Sequence, residues 1–246
     1  MYRIIQRASE YADYPKAFAT LVIGFLLAIA VFNLVIVPFH NYVKYYLIRK
    51  FGDYSAMHDG LCTMRPRPNI HIVGLFTSLV LNVGFAAPAY IDTDHFRKPK
   101  TYTCIVSLAG VLTYVACFVV SFFIYASLNV NDVFDVSVVT LHRNDCSLFQ
   151  YIYNTFFVMI YFIAQTCLYS AIFNLIPAFP LDMGDALYVF MPVNWQDNLR
   201  NNDLAISLAL FVFAFLYLCP ATGIIPKMGV PIMENYMNLI GAMFGK

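Results

Sequence analysis

The residues best suited to chemistry lie at two places, the run from His40 to Lys44 and the run that ends at Asp182. Two histidines four positions apart on a helix share one face and can bind one zinc ion, and a glutamate beside the first can activate a metal-bound water. Here His40 is followed by Asn41, and Lys44 stands in the fourth position after it. An amide cannot accept a proton from water, and neither glutamate of the chain adjoins a histidine. The run therefore resembles a metal site that keeps its first histidine but lacks the base and the second histidine.

The second run closes a long uncharged stretch with an asparagine, two prolines and a carboxylate. A carboxylate is costly near a bilayer, so Asp182 is a candidate metal ligand beside His40. The alternative is that Asp182 only marks the end of a membrane segment. Prolines interrupt a helix, and Asn174 can hydrogen-bond the freed backbone or an extended substrate strand. Asn174 and Pro177 are therefore candidate substrate-binding residues.

The composition is that of a membrane protein, with 61% hydrophobic and 12% charged residues, whereas a soluble domain has about 25% charged residues. Charges collect between membrane segments because they are costly inside them. The sequence predicts an all-α polytopic membrane protein with four to five membrane segments, in one domain over residues 1–246. The net charge of +1, with no basic stripe, argues against a nucleic-acid surface. Five uncharged stretches exceed the roughly 20 residues that a spanning helix needs, at 17–43, 69–91, 101–131, 146–181 and 204–226.

Topology follows from the lysines and arginines, which gather in the loops after the first stretch and before the third. Such residues stay on the cytoplasmic side, so both motif-bearing loops are expected there. The stretch 69–91 lies between these loops and must therefore enter and leave on one side or line the protein interior. We predict an embedded irregular element with a hairpin from Gly84 to Asp94, since irregular backbone at membrane depth needs cover by protein or a water-filled cavity. We also expect an outside loop at 132–145 and an interfacial or half-membrane helix from Gly229 to Phe244.

In their order along the chain, these motifs resemble the site-2 protease family of intramembrane zinc metallopeptidases. In that family a first helix carries His-Glu-x-x-His, and a later helix carries Asn-x-x-Pro-x-x-x-Leu-Asp-Gly, whose aspartate is the third zinc ligand. The resemblance spans about Pro38 to Leu187, with Met183 in the place of the motif's glycine. The matching residues are Asn174, Pro177, Leu181 and Asp182 of the later motif, His71, Ile72 and Gly74, the run from Gly84 to Lys100, and Leu108, Ala109 and Gly110.

The resemblance implies zinc as cofactor and a place in regulated intramembrane proteolysis, but the catalytic groups are changed. Of three zinc ligands, His40 and Asp182 remain, and a site with two ligands holds zinc poorly. We expect a pseudoprotease without zinc of its own, which binds or regulates membrane partners such as lipid and a transmembrane helix of a client protein. The alternative is an active zinc protease with another third ligand, such as His71. The other histidines are expected in loop or core roles, namely His58, His95 and His142.

Lys44 suggests a specific contact. In the family geometry this position faces the aspartate ligand, so the ammonium is expected to take the place of zinc and pair with Asp182. The alternative is that Lys44 snorkels to the lipid headgroups. Six cysteines lie far apart without a Cys-x-x-Cys pair, which favours small buried side chains over disulfides or metal ligands. A transporter or channel is disfavoured because the sequence shows no internal repeat.

Overall fold

A computed structural model of the protein describes residues 15–89, 95–130, 148–217 and 224–243. These residues are almost entirely helical, which confirms the predicted all-α class. Within the same ranges no strand forms, and a single antiparallel bridge joins Ile70 to Ala86. The elements are α1 (Pro15–Val31), a π-helical turn (Phe32–Ile36), α2 (Val37–Lys50), α3 (Ser55–His58), α4 (Pro66–Asn69), α5 (Ile72–Leu81), α6 (Pro99–Val130), α7 (Leu148–Asn174), α8 (Asp182–Tyr188), α9 (Val193–Asn201), α10 (Asp203–Tyr217) and α11 (Ile224–Met243).

Three helical segments of the described chain are long and apolar enough to cross a membrane: Phe18–Lys50, Pro99–Leu128 and Leu148–Asn174. The first joins α1, the π turn and α2 into one continuous helix. These segments support a membrane protein and account for three of the five uncharged stretches. The apolar helix α5 has 10 residues, fewer than the roughly 20 that a span requires. The predicted outside loop at 132–145 and residues 90–94 of the predicted hairpin lie outside the described residues.

Helix α7 is central, and α1 and α6 pack along it. The main hydrophobic core lies where these helices meet the π turn, and it combines aliphatic side chains with several aromatic ones, among them Phe32, Tyr114, Phe118, Phe122 and Phe173. Other apolar side chains of the long helices point outward, such as Leu26 and Val120. An apolar exterior is expected where the surrounding solvent is lipid.

An irregular, buried segment follows α5, where the sequence predicts an embedded element. Helix α5 ends at Asn82, whose φ of 61° is left-handed, a conformation that asparagine tolerates better than most residues. Helix α7 supplies polar partners to this segment: Ser170 Oγ accepts from the Gly84 N–H at 2.8 Å, and Gln165 accepts from the Asn82 amide. The backbone can therefore leave the helix inside the protein without stranding its polar groups.

The last helix, α11, begins at Ile224, earlier than the predicted Gly229, and continues through Pro231. It packs against both α6 and α7. Gly229 makes this approach close, since a Cβ there would lie 2.5 Å from the Tyr169 ring of α7. The helix is thus part of the bundle and not only a peripheral element.

Candidate charge cluster at the site

His40 and Lys44 lie four residues apart on one buried face of α2, as the helical period requires. The π turn sets the direction of this face, because the Val37 N–H donates to the carbonyl of Phe32, five residues back. Pro38 sits in the first turn of α2 and has no N–H to donate. π turns often occur near functional sites, and here the π turn lies just before His40 and Lys44 in the sequence.

Helix α8 brings two carboxylates to the same place. It begins at Asp182, after Leu181 in an extended conformation, and its three-residue spacing puts Asp185 on the same face as Asp182. Gly184 lets the start of α8 fold back on the preceding loop, because a Cβ there would lie 2.4 Å from the Ala178 backbone. The glycine stands one position later than in the motif that the sequence resembles, and it packs where a larger side chain could not.

Lys44 bridges the two carboxylates of α8. Its ammonium Nζ donates to Asp182 Oδ1 at 2.8 Å and to Asp185 Oδ2 at 2.9 Å. Lys44 is 2% exposed, so it does not reach the lipid headgroups. The predicted pair between Lys44 and Asp182 is therefore confirmed, and Asp185 is an additional partner. We refer to His40, Lys44, Asp182 and Asp185 as the charge cluster.

His40 holds the other oxygen of Asp182, with 2.8 Å between His40 Nε2 and Asp182 Oδ2. Its second ring nitrogen, Nδ1, lies 3.1 Å from Asn41 Oδ1. The Asn41 amide nitrogen donates to the carbonyl of Ala87 at 3.0 Å, which fixes its oxygen toward the histidine. Both ring nitrogens of His40 thus lie within hydrogen-bond distance of side-chain oxygens. The charge cluster combines the Lys44 ammonium and this imidazole with the two carboxyl groups of α8.

Helix α6 covers the charge cluster with a small residue and an aromatic ring. A Cβ on Gly110 would lie 2.6 Å from Asp182 Oδ2 and 2.8 Å from His40 Nε2, so only glycine leaves this contact undisturbed. Tyr114 stacks on the imidazole of His40 with 4.4 Å between ring centroids. These contacts seal the cluster inside the protein.

The two carboxylates of α8 respond differently to burial. Burial raises the pKa of Asp182, but the charges of His40 and Lys44 and the hydrogen bonds from them outweigh it and lower that pKa to about 2. Burial also dominates at Asp185, where it exceeds the opposing effect of Lys44 and raises the pKa to about 6. Asp182 is therefore the firmly ionised member, and Asp185 is the member closer to protonation at neutral pH.

The residues of this site do not fit a zinc ion. A catalytic zinc takes three protein ligands and a water, whereas here the Lys44 ammonium engages both carboxylates. An ammonium repels a metal cation and has no lone pair to offer it. Within the four described ranges, no group of three or more His, Cys, Asp or Glu side chains is placed to hold a metal ion.

The other candidate residues have separate places. Asn174 donates to the carbonyls of Ser170 at 2.8 Å and Gly84 at 3.3 Å, so it ties α7 to the embedded segment. Pro177 lines an apolar cavity of about 400 Å³ between the loop before α8 and helices α9 and α10. The His71 ring packs against the Phe85 ring, with 5.2 Å between the ring centroids. His142 lies outside the described residues, as do two of the six cysteines; Cys62, Cys104, Cys117 and Cys167 are free thiols.

Asp185 is the member of the charge cluster that the sequence interpretation missed. The three-residue spacing of Asp182 and Asp185 was visible in the sequence, but it puts them on one face only in a helix, and the sequence analysis predicted no helix there. The resemblance drew attention to a single aspartate, and the second one has no counterpart in that motif.

Comparison with known proteins gives one distant relative. The chain is 24% identical over 181 residues, 74% of each protein, to the Bacillus subtilis (strain 168) protein named "Putative zinc metalloprotease YwhC". No family model matches the chain, and no solved structure matches it significantly. The relative is named as a zinc metalloprotease. This name agrees with the class of protease that the sequence motifs resemble.

Proposed function

We propose that the protein is a catalytically inactive relative of the intramembrane zinc metalloproteases, which binds transmembrane segments of partner proteins without cutting them. The observation that carries this proposal is the Lys44 ammonium, held between Asp182 and Asp185 where a metalloprotease would need a metal ligand. A buried cation at this point excludes a second cation by charge repulsion.

The position of the general base is also taken by an unreactive group. Asn41 stands beside His40, and both ends of its amide are engaged, one by the histidine and one by the Ala87 carbonyl. An amide is not basic enough to be protonated near neutral pH, so it cannot accept a proton from water. Loss of the base and of a metal ligand together supports a binding role more than hydrolysis.

The apolar cavity near Pro177 is the part of the structure that best suits a partner's side chains. Its walls include Leu187 of α8 and Leu210 of α10, and Leu187 is 42% exposed. A cavity of about 400 Å³ lies within the range of small ligand sites and could take one or two side chains of a helix. We place the partner's segment there, in a bundle of four to five membrane segments whose motif-bearing loops face the cytoplasm.

Two measurements on the purified protein test the inactive state. We expect no stoichiometric zinc by elemental analysis and no cleavage of a labelled transmembrane peptide in detergent. The similarity to a named zinc metalloprotease favours the second candidate, an active enzyme that uses His40, Asp182 and a third ligand such as His71. Near one zinc per chain, lost in both His40→Ala and Asp182→Ala, would establish that candidate and reject the proposal.

Site-specific photo-cross-linking in native membranes tests the binding role. A photoreactive residue at Leu187 or Leu210 should give a discrete adduct that contains a membrane-spanning segment, identified by mass spectrometry. The matched control is Val120, which is 60% exposed on α6 and should give lipid adducts only. The cavity-filling variant Ala209→Trp should abolish the adduct. Equal labelling at Val120, or no effect of the tryptophan, would contradict binding at the cavity.

A further inference from the structure

Asp182 and Asp185 surround a positive charge that the chain itself provides. The two carboxylates are 3% and 6% exposed. They accept hydrogen bonds from the Lys44 ammonium, with oxygen-to-nitrogen distances of 2.8 and 2.9 Å. Two carboxylates this close would repel each other strongly without a cation between them. The arrangement has the form of a bound-cation site whose occupant is covalently attached.

The hydrogen bonds at this point favour one kind of cation. An ammonium has three N–H donors, and the two carboxylates accept two of them. A primary ammonium can make both contacts, whereas a cation without N–H groups can make neither.

We infer that Asp182 and Asp185 form a cation-binding site specific for a primary ammonium group, occupied in the native protein by Lys44. The bound charge holds α8 against α2, and with α8 it holds the Leu187 wall of the cavity. The fold thus needs a positive charge at this point and does not need a metal ion. This inference rests on the contacts alone and stands whether or not the protein cuts peptides.

Chemical rescue tests the inference directly. Lys44→Ala removes the ammonium and leaves space for a free one, and we expect it to lower the melting temperature in detergent by on the order of 10 °C. Methylammonium at tens of millimolar should restore most of this loss. Tetramethylammonium, which has no N–H group, and sodium should not do so at the same ionic strength. The matched control, Lys50→Ala, changes an exposed lysine of the same helix and should melt like the wild type with every salt.

A second variant keeps the test decisive if Lys44→Ala does not fold. Adding Asp185→Asn removes one of the two stranded carboxylate charges, so the double variant should be more stable than Lys44→Ala alone and should no longer respond to methylammonium. Equal recovery with all three salts would show ordinary screening and overturn the site. A double variant that is less stable than Lys44→Ala would overturn it as well. Neither outcome bears on zinc content or peptide cleavage.

Discussion

The contact between Lys44 and Asp182 predicts strong energetic coupling between two distant parts of the chain. The perturbations are Lys44→Met, which keeps the length of the side chain, and Asp182→Asn, which keeps its shape. Both residues are almost fully buried, so removal of either charge leaves the buried charge cluster unbalanced at a cost of about 3–5 kcal/mol. Independent effects would sum to about 6–10 kcal/mol in the double variant.

The structure predicts a smaller loss in the double variant, because Asp182→Asn removes one of the two carboxylate charges that Lys44→Met leaves without a cation. We expect a coupling energy of about 2–3 kcal/mol. The assay is equilibrium unfolding in mixed micelles with increasing sodium dodecyl sulfate, followed by circular dichroism and tryptophan fluorescence. Lys50→Met combined with Asp182→Asn provides the control, and these two changes should be additive. Additive losses for Lys44 and Asp182 would refute a functional pair.

Three further predictions follow from the charge cluster. Gly110→Ala should destabilise the protein by about 1–3 kcal/mol, despite the better helix propensity of alanine, because the methyl group meets buried polar atoms; thermal unfolding measures this. Asp185 has a raised pKa of about 6, so the folded state binds its proton more tightly than the unfolded state does, and its contribution to stability should fall as pH rises from about 4 to 6. In Asp185→Asn, the free energy of unfolding measured across this range should no longer show this decrease with pH. The combined change Asn41→Glu and Lys44→His should create a zinc site with near one zinc per chain by elemental analysis, lost when Asp182→Asn is added.

Much of the site was predictable because helical spacing carries over directly into space. The four-residue step from His40 to Lys44 fixes a shared face, and the resemblance indicated that Asp182 lies opposite. Asp185 was missed although the same spacing rule applies to it. The reason is that a motif with one aspartate suggested one partner for Lys44.

Other features could not have been read from local patterns. The need for glycine at position 110 depends on two side chains brought there by α2 and α8, far away in the sequence. The number of membrane segments was predicted as four to five, and three are found in the described ranges. Uncharged length is an ambiguous signal, because the stretch 69–91 is divided between the short helix α5 and an irregular segment held by side chains of α7.

The π turn from Phe32 to Ile36 divides the first long helix into two surfaces with different orientations. Each residue of a regular α-helix advances the side-chain direction by about 100°, so one extra residue in a turn rotates all that follows by about that angle. α1 uses its face to pack on α7, and α2 uses a rotated face to meet α6. The half that anchors the helix and the half that carries His40 and Lys44 can therefore be matched to different neighbours. A regular α-helix without the π turn could not orient both halves independently toward their different neighbours.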